Sequence, residues 1–193
     1  MASSYMTKTL FSAFVAVLAF LSFNIQSLVD VGAQVLSERY GSWSYRCEVA
    51  EPNAVKASSC EVSQIVQVEQ EDGAVDVLHI ALAKDGKGAL QFTILAPLNL
   101  HLPSGFAFAW GKKTSSNSQF LTCSATGCIS VLPAENAVIS TFKKKNEASG
   151  LFRLANGQTV KIVFSLKGFT KAYNALRSGT LPAVNLPQQS PAS

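Results

Sequence analysis

The usual signatures of catalysis are missing from this sequence. No serine sits in G-x-S-x-G, which excludes a strained nucleophile elbow. There is no glycine-rich phosphate loop and no C-x-x-C ahead of a helical pattern, the usual form of a redox pair. Only two histidines are present. His79 lies mid-strand in an apolar run and is expected to be half-buried; His101 precedes Pro103 and is expected to be exposed or packed on that ring. Neither has a neighbour in sequence that completes a catalytic group. Carboxylates cluster at Glu69, Glu71, Asp72 and Asp76, around a turn. They lack the oxygen-ligand spacing of an EF-hand loop and are expected to form a solvated hairpin tip. These absences point away from an enzyme, a cofactor and a metal centre.

Long apolar runs are scarce as well. The exception is N-terminal, where Lys8 is followed by mostly apolar residues from Leu10 to Phe23 and then by Asn24, Gln26, Ser27 and Asp30. That run has the length of a signal-peptide core and falls short of the roughly 20 residues that a bilayer span needs. Val31-Gly32-Ala33 places small or modest side chains at the −3 and −1 positions of a cleavage site. Residues 1–33 are therefore expected to be a signal peptide cut after Ala33, with an uncleaved anchor as the competing reading. The mature chain is long enough for one domain with a real core, and it has no transmembrane span. The expected location is the periplasm or the outer-membrane surface.

Cysteine is rare: Cys47, Cys60, Cys123 and Cys128 are the full set, all in the mature part. An even count in an exported chain reads as disulfides. Zinc is the alternative, but C-x12-C, a long gap and C-x4-C give one tight knuckle where zinc sites usually show two. Pairing nearest neighbours is physically simple. Cys123–Cys128 closes a short loop in which Ala125-Thr126-Gly127 can turn, with Gly127 free to take positive φ. Chain-entropy estimates give about 2 kcal/mol for that loop and about 3 for Cys47–Cys60.

What the mature chain does have is a period of two. Tyr40, Trp43 and Tyr45 lie in a short aromatic strand-like stretch ending at Cys47. Strand patterns follow at 60–70, 75–84, 89–98 and 105–111, on both sides of the 123–128 loop, and at 150–154 and 159–166. Turn signals divide them, and Asn156-Gly157 is a strong hairpin marker. This spacing argues for a β-sandwich or barrel. Two segments break the period. Residues 134–145 fit a short helix with Val138 and Phe142 on one face. Residues 165–179 fit a better one, with a Phe169, Ala172, Tyr173, Leu176 stripe, Ser165 as candidate cap and Gly179 as its end. The Pro/Gln/Ser-rich tail, residues 180–193, is expected to be disordered.

Charge is uneven. Residues 34–85 hold four Lys/Arg against nine Asp/Glu, whereas 86–193 hold eleven against two. Such linear asymmetry makes a spatial patch only if the strands do not interleave. Lys112-Lys113 and Lys143-Lys144-Lys145 are loop-like basic clusters. Beyond solubility, they are candidates for contact with an anionic surface or partner. Basic and aromatic residues do not interleave on one face, which argues against nucleic acid.

An ordered set of motifs adds a resemblance: "GSWSYRCE", "CEVSQ", "APLNLHLPSGF", "FLTCSATGC" and "SLKGFTKAYNAL". In this order, over residues 40–178, the chain resembles the invasion-associated locus B family of exported bacterial proteins. The resemblance implies an immunoglobulin-like β-sandwich with a C-terminal helix, covering residues 34–179. It implies the same cysteine pattern, and no catalytic residues to carry over. The founding member is linked to entry into host red cells, but similar proteins occur in bacteria that invade nothing. The Lys143–Lys145 run is basic even for the family. The expected function is therefore a non-enzymatic envelope or binding protein that meets a protein or an anionic envelope or host-surface component, with a contribution to host-cell interaction or invasion as what the resemblance implies. The alternative is a periplasmic chaperone that holds clients on the "FAFAW" aromatics.

Overall fold

Inward-facing apolar residues at every second position require a sheet that buries one face, and here two sheets bury each other. The computed structural model describes residues 34–50 and 56–182. The segment read as a signal peptide, and most of the tail, lie outside these residues. The strands are β1 (Gln34–Tyr40), β2 (Trp43–Val49), β3 (Ser59–Gln70), β4 (Gly73–Lys84), β5 (Leu90–Ala96), β6 (Ala107–Trp110), β7 (Lys113–Thr114), β8 (Phe120–Ser124), β9 (Gly127–Pro133), β10 (Glu147–Arg153) and β11 (Thr159–Ser165). Helix α1 (Asn136–Lys144) lies between β9 and β10, and α2 (Phe169–Ser178) follows β11. One sheet has the order β1-β2-β3-β4-β5-β9-β8 and the other β11-β10-β6-β7. The protein is mainly β, a two-sheet sandwich with a C-terminal helix, as the alternation implies.

The aromatic stretch around Tyr40 is two strands, not one. Gly41-Ser42 turns the chain, and Tyr40 pairs with Trp43 in a tight hairpin. Only Leu36 of β1 is buried, so that strand carries almost no apolar alternation to read. The acidic cluster does sit at the β3–β4 tip, exposed. Asn156-Gly157 does turn β10 into β11, with Asn156 Oδ1 accepting from the Gln158 N–H at 3.0 Å.

Aromatic rings fill the space between the sheets. Phe142 of α1 is almost fully buried. Its ring centroid lies 5.1 Å from Phe108, 5.2 Å from Phe169, and 5.6 Å from both Phe92 and Phe164. These are tilted or edge-to-face contacts, the arrangement that ring quadrupoles favour. A buried phenylalanine of this kind is worth about 3–5 kcal/mol against alanine. Phe142 therefore anchors α1 in the core and fixes where its C-terminal lysines emerge.

Helix α2 covers the β1–β2–β3 end of the large sheet with Phe169, Ala172 and Leu176, the stripe expected from sequence. Its start is not where the sequence put it. Ser165 does not cap it; Gly168 does, at φ +94°. Ser165 Oγ instead accepts the Lys167 N–H at 3.2 Å in the turn before the helix. A Cβ on Gly168 would overlap the Tyr40 carbonyl, so glycine is required both by the left-handed backbone and by the close approach of the two chains.

Candidate functional site

Strand β6 carries Phe106's neighbours inward in alternation. Phe106 and Phe108 are fully buried, while Trp110, at the strand's end, is only partly so. Phe106 and Phe108 thus serve the core, and of the "FAFAW" aromatics only Trp110 keeps part of its surface exposed. The chain turns at Gly111-Lys112 and returns as β7, where Lys113 pairs with Trp110 and Thr114 with Ala109. The hairpin is pinned by Ser115: its N–H donates to Phe108 O at 2.8 Å, and its Oγ accepts from the Phe108 N–H at 2.9 Å. Lys113, cross-strand from Trp110, shares that residue's side of the sheet.

Helix α1 approaches the same place. With Val138, Ile139 and Phe142 committed to the core, Ser140, Thr141 and Lys144 fall on the outer side. The result is a groove of about 440 Å³ between the β6–β7 turn and the last turn of α1. Lys112 and Lys113 line one wall, Lys144 and Lys145 the other, with Trp110 between them. The structure therefore brings together four of the five candidate lysines. Lys143 is the exception. Its Nζ sits 3.9 Å from the ring centroid of Tyr173 on α2, a cation–π contact that turns it away from the groove.

Trp110 was not singled out as a site residue by the sequence. The available signal was its place as the last strand residue before Gly111-Lys112-Lys113, where core packing gives out. A second recess, about 380 Å³, lies on the small sheet and has Arg153 as its one charged side chain. His101 is exposed, with Nδ1 2.7 Å from Ser104 Oγ. His79 is half-buried on β4, its backbone paired with Ile65 and Leu95. Among the described residues, no group of three or more His, Cys, Asp or Glu gathers to hold a metal. No helix there is long and apolar enough to cross a membrane.

The charge asymmetry survives folding. Strands β1–β5 form contiguous strands of the large sheet, and only the nearly uncharged β8 and β9 cross back to join them. The small sheet, its turns and both helices carry ten Lys/Arg against Glu135 and Glu147. The basic half of the sequence therefore gathers on the small sheet, its turns and the two helices, with α2 reaching over β1–β3 of the acidic half.

Both cysteine pairs are disulfides, Cys47–Cys60 and Cys123–Cys128, each linking directly opposed residues of adjacent strands. The family model for the invasion associated locus B (IalB) protein matches residues 43–177. The chain belongs to the IalB family. A crystal structure of invasion associated protein B from Bartonella henselae shares its fold, with a TM-score of 0.60 and 18% identity over 74% of this chain and 96% of that one. No curated protein matches the chain. The motifs that mark it as an IalB protein are scaffold. Trp43 bonds across the sandwich, the cysteines staple strands, and Gly168 admits the Tyr40 carbonyl. The groove lysines lie outside those motifs but within the residues that the family model matches.

Proposed function

We propose that this IalB protein is exported and acts without catalysis, attaching to an anionic component of the envelope or of a host surface through its basic side. The observation that carries the reading is the convergence of Lys112-Lys113 and Lys144-Lys145, far apart in sequence, on one groove. The disulfides fit an oxidising compartment outside the cytoplasm. The partition of charge between the two sheets adds a long-range attraction toward negative surfaces. Host-cell interaction is the special case in which that surface belongs to the host, and the family description points to it.

The test is binding of the mature protein to vesicles containing phosphatidylglycerol, with phosphatidylcholine vesicles as control. Saturable binding that weakens with added salt, and that fails in Lys112→Glu/Lys113→Glu or Lys144→Glu/Lys145→Glu, is the expected result. Binding insensitive to both salt and charge reversal would refute the electrostatic mechanism.

A further inference from the structure

The groove is more selective than a basic patch needs to be. Its four ammonium groups are compact point charges on flexible stems, suited to phosphate oxygens. The negative pole of α1 also ends here, but it amounts to about half an elementary charge against four full positive ones. No carboxylate lines the groove among the described residues. An anion is therefore favoured despite the helix end.

Two further features restrict which anion. Thr141 Oγ1 donates its proton to Ala137 O at 2.8 Å, and Ser140 Oγ donates to the same carbonyl at 3.2 Å. A hydroxyl bonded in this way offers its lone pairs to the groove. Bare phosphate brings few donors to meet them; a polyol brings many. Trp110 adds a partly exposed indole, an apolar face with a polar edge. Phosphate for the lysines, hydroxyls for Ser140 and Thr141, and C–H faces for the indole are combined in a phosphorylated sugar. The volume lies in the range of ordinary small-ligand sites.

We infer that the groove binds a phosphorylated sugar headgroup, with phosphate between the two lysine pairs and the ring against Trp110. This rests on the anionic-surface reading above and names its ligand class. The sugar can come from a membrane glycolipid or from a soluble sugar phosphate.

The two tryptophans make the test direct. Trp43 is fully buried and Trp110 is not, so acrylamide quenching of the mature protein reports on Trp110. The protein is titrated with glucose 1-phosphate, glucose and inorganic phosphate. Glucose 1-phosphate is expected to shield Trp110 at a concentration about tenfold below that of inorganic phosphate, with glucose inactive. Lys113→Ala and Lys144→Ala, both at exposed positions, should each weaken this about tenfold, while Lys143→Ala leaves it within about twofold. Near-UV circular dichroism checks that each variant is folded.

Phosphatidylcholine vesicles carrying a phosphorylated glucosamine disaccharide lipid then separate the sources. Tighter binding to them than to phosphatidylglycerol vesicles of equal charge assigns the acylated form. Equal affinity for the deacylated disaccharide in solution assigns the soluble one. If glucose 1-phosphate shields Trp110 no better than inorganic phosphate, the sugar inference is overturned, and salt-sensitive binding to phosphatidylglycerol then leaves the broader reading standing. Loss of all anionic binding overturns both.

Discussion

The indole N–H of Trp43 donates to the Ser165 carbonyl over 3.1 Å, joining β2 of the large sheet to β11, the outer strand of the small one. The two residues are separated by 122 positions in the chain. The ring also meets Phe169 edge-on at 5.0 Å and Phe164 at 6.4 Å. Trp43 thus holds both sheets and the start of α2 together. Trp43→Phe keeps most of the packing but strands the carbonyl, a loss of about 1–3 kcal/mol. Trp43→Ala also opens a cavity and should cost about 3–5 kcal/mol. Urea unfolding of the mature protein measures both, and a Trp43→Phe variant as stable as the parent would mean the hydrogen bond contributes nothing.

Tyr45 offers a change with the opposite sign. Its side chain is fully buried on β2, and its hydroxyl has no hydrogen-bond partner among the described residues. Burial disfavours the phenolate and raises the pKa above the ordinary value near 10. Below that pH, folded and unfolded chains both keep the proton and stability is unaffected. As pH rises beyond it, the unfolded chain loses its proton first, so stability falls until the folded pKa is passed. Tyr45→Phe should therefore be neutral or slightly stabilising at pH 7 and should lessen the alkaline loss. A clearly destabilised variant at pH 7 would show that the hydroxyl is satisfied after all.

The sequence conveyed the sheets better than the joints between them. Strands β3, β4 and β5 are recognisable from sequence within a few residues because they are rich in β-branched and apolar residues, of which Val62, Leu78, Ile80, Leu82, Phe92 and Ile94 are buried. Strand β1 was invisible for the opposite reason, having only Leu36 inside. Ser165 looked like a helix cap because serine before a periodic segment commonly is one. The tertiary contact of Gly168 with Tyr40, which no local pattern encodes, moved the start to Phe169. The lysine clusters were each legible as basic loops. Their meeting depends on Phe142 seating α1 against β6, a long-range packing event. That one of three consecutive lysines must diverge follows from about 100° of rotation per helical residue, but its destination over Tyr173 does not.

The disulfides differ in burial, and this orders their consequences. Each bridge has one buried cysteine, Cys47 or Cys128, but Cys60 is half-buried whereas Cys123 is exposed at the β8–β9 tip. Replacing Cys47 and Cys60 together by alanine should cost about 3 kcal/mol, and Cys123 with Cys128 about 2. The protein should remain folded without the second pair, since α1, β6 and the aromatic core do not depend on it. Reductant titration followed by mass spectrometry should find Cys123–Cys128 opening first. The reverse order of stability loss would contradict the loop-length estimate, and the reverse order of reduction would contradict the exposure argument.

Lys143 and Lys144 are adjacent in sequence but belong to different parts of the molecule, and a pair of measurements separates them. Lys143 Nζ lies over the Tyr173 ring and ties α1 to α2, while Lys144 lines the groove. A double-mutant cycle of Lys143→Ala with Tyr173→Ala should return a coupling of about 0.5–1 kcal/mol in unfolding free energy. Lys144→Ala combined with Tyr173→Ala should be additive, because the groove and the α2 ring share no contact. For binding to anionic vesicles the ranking reverses: Lys144→Ala weakens it and Lys143→Ala barely does. High salt screens the exposed groove charges more than the ring-bound ammonium, so vesicle binding should fall with salt while the Lys143–Tyr173 coupling largely persists. If both substitutions changed binding equally, the groove would have no boundary at Lys143, and the basic side would act as a diffuse patch.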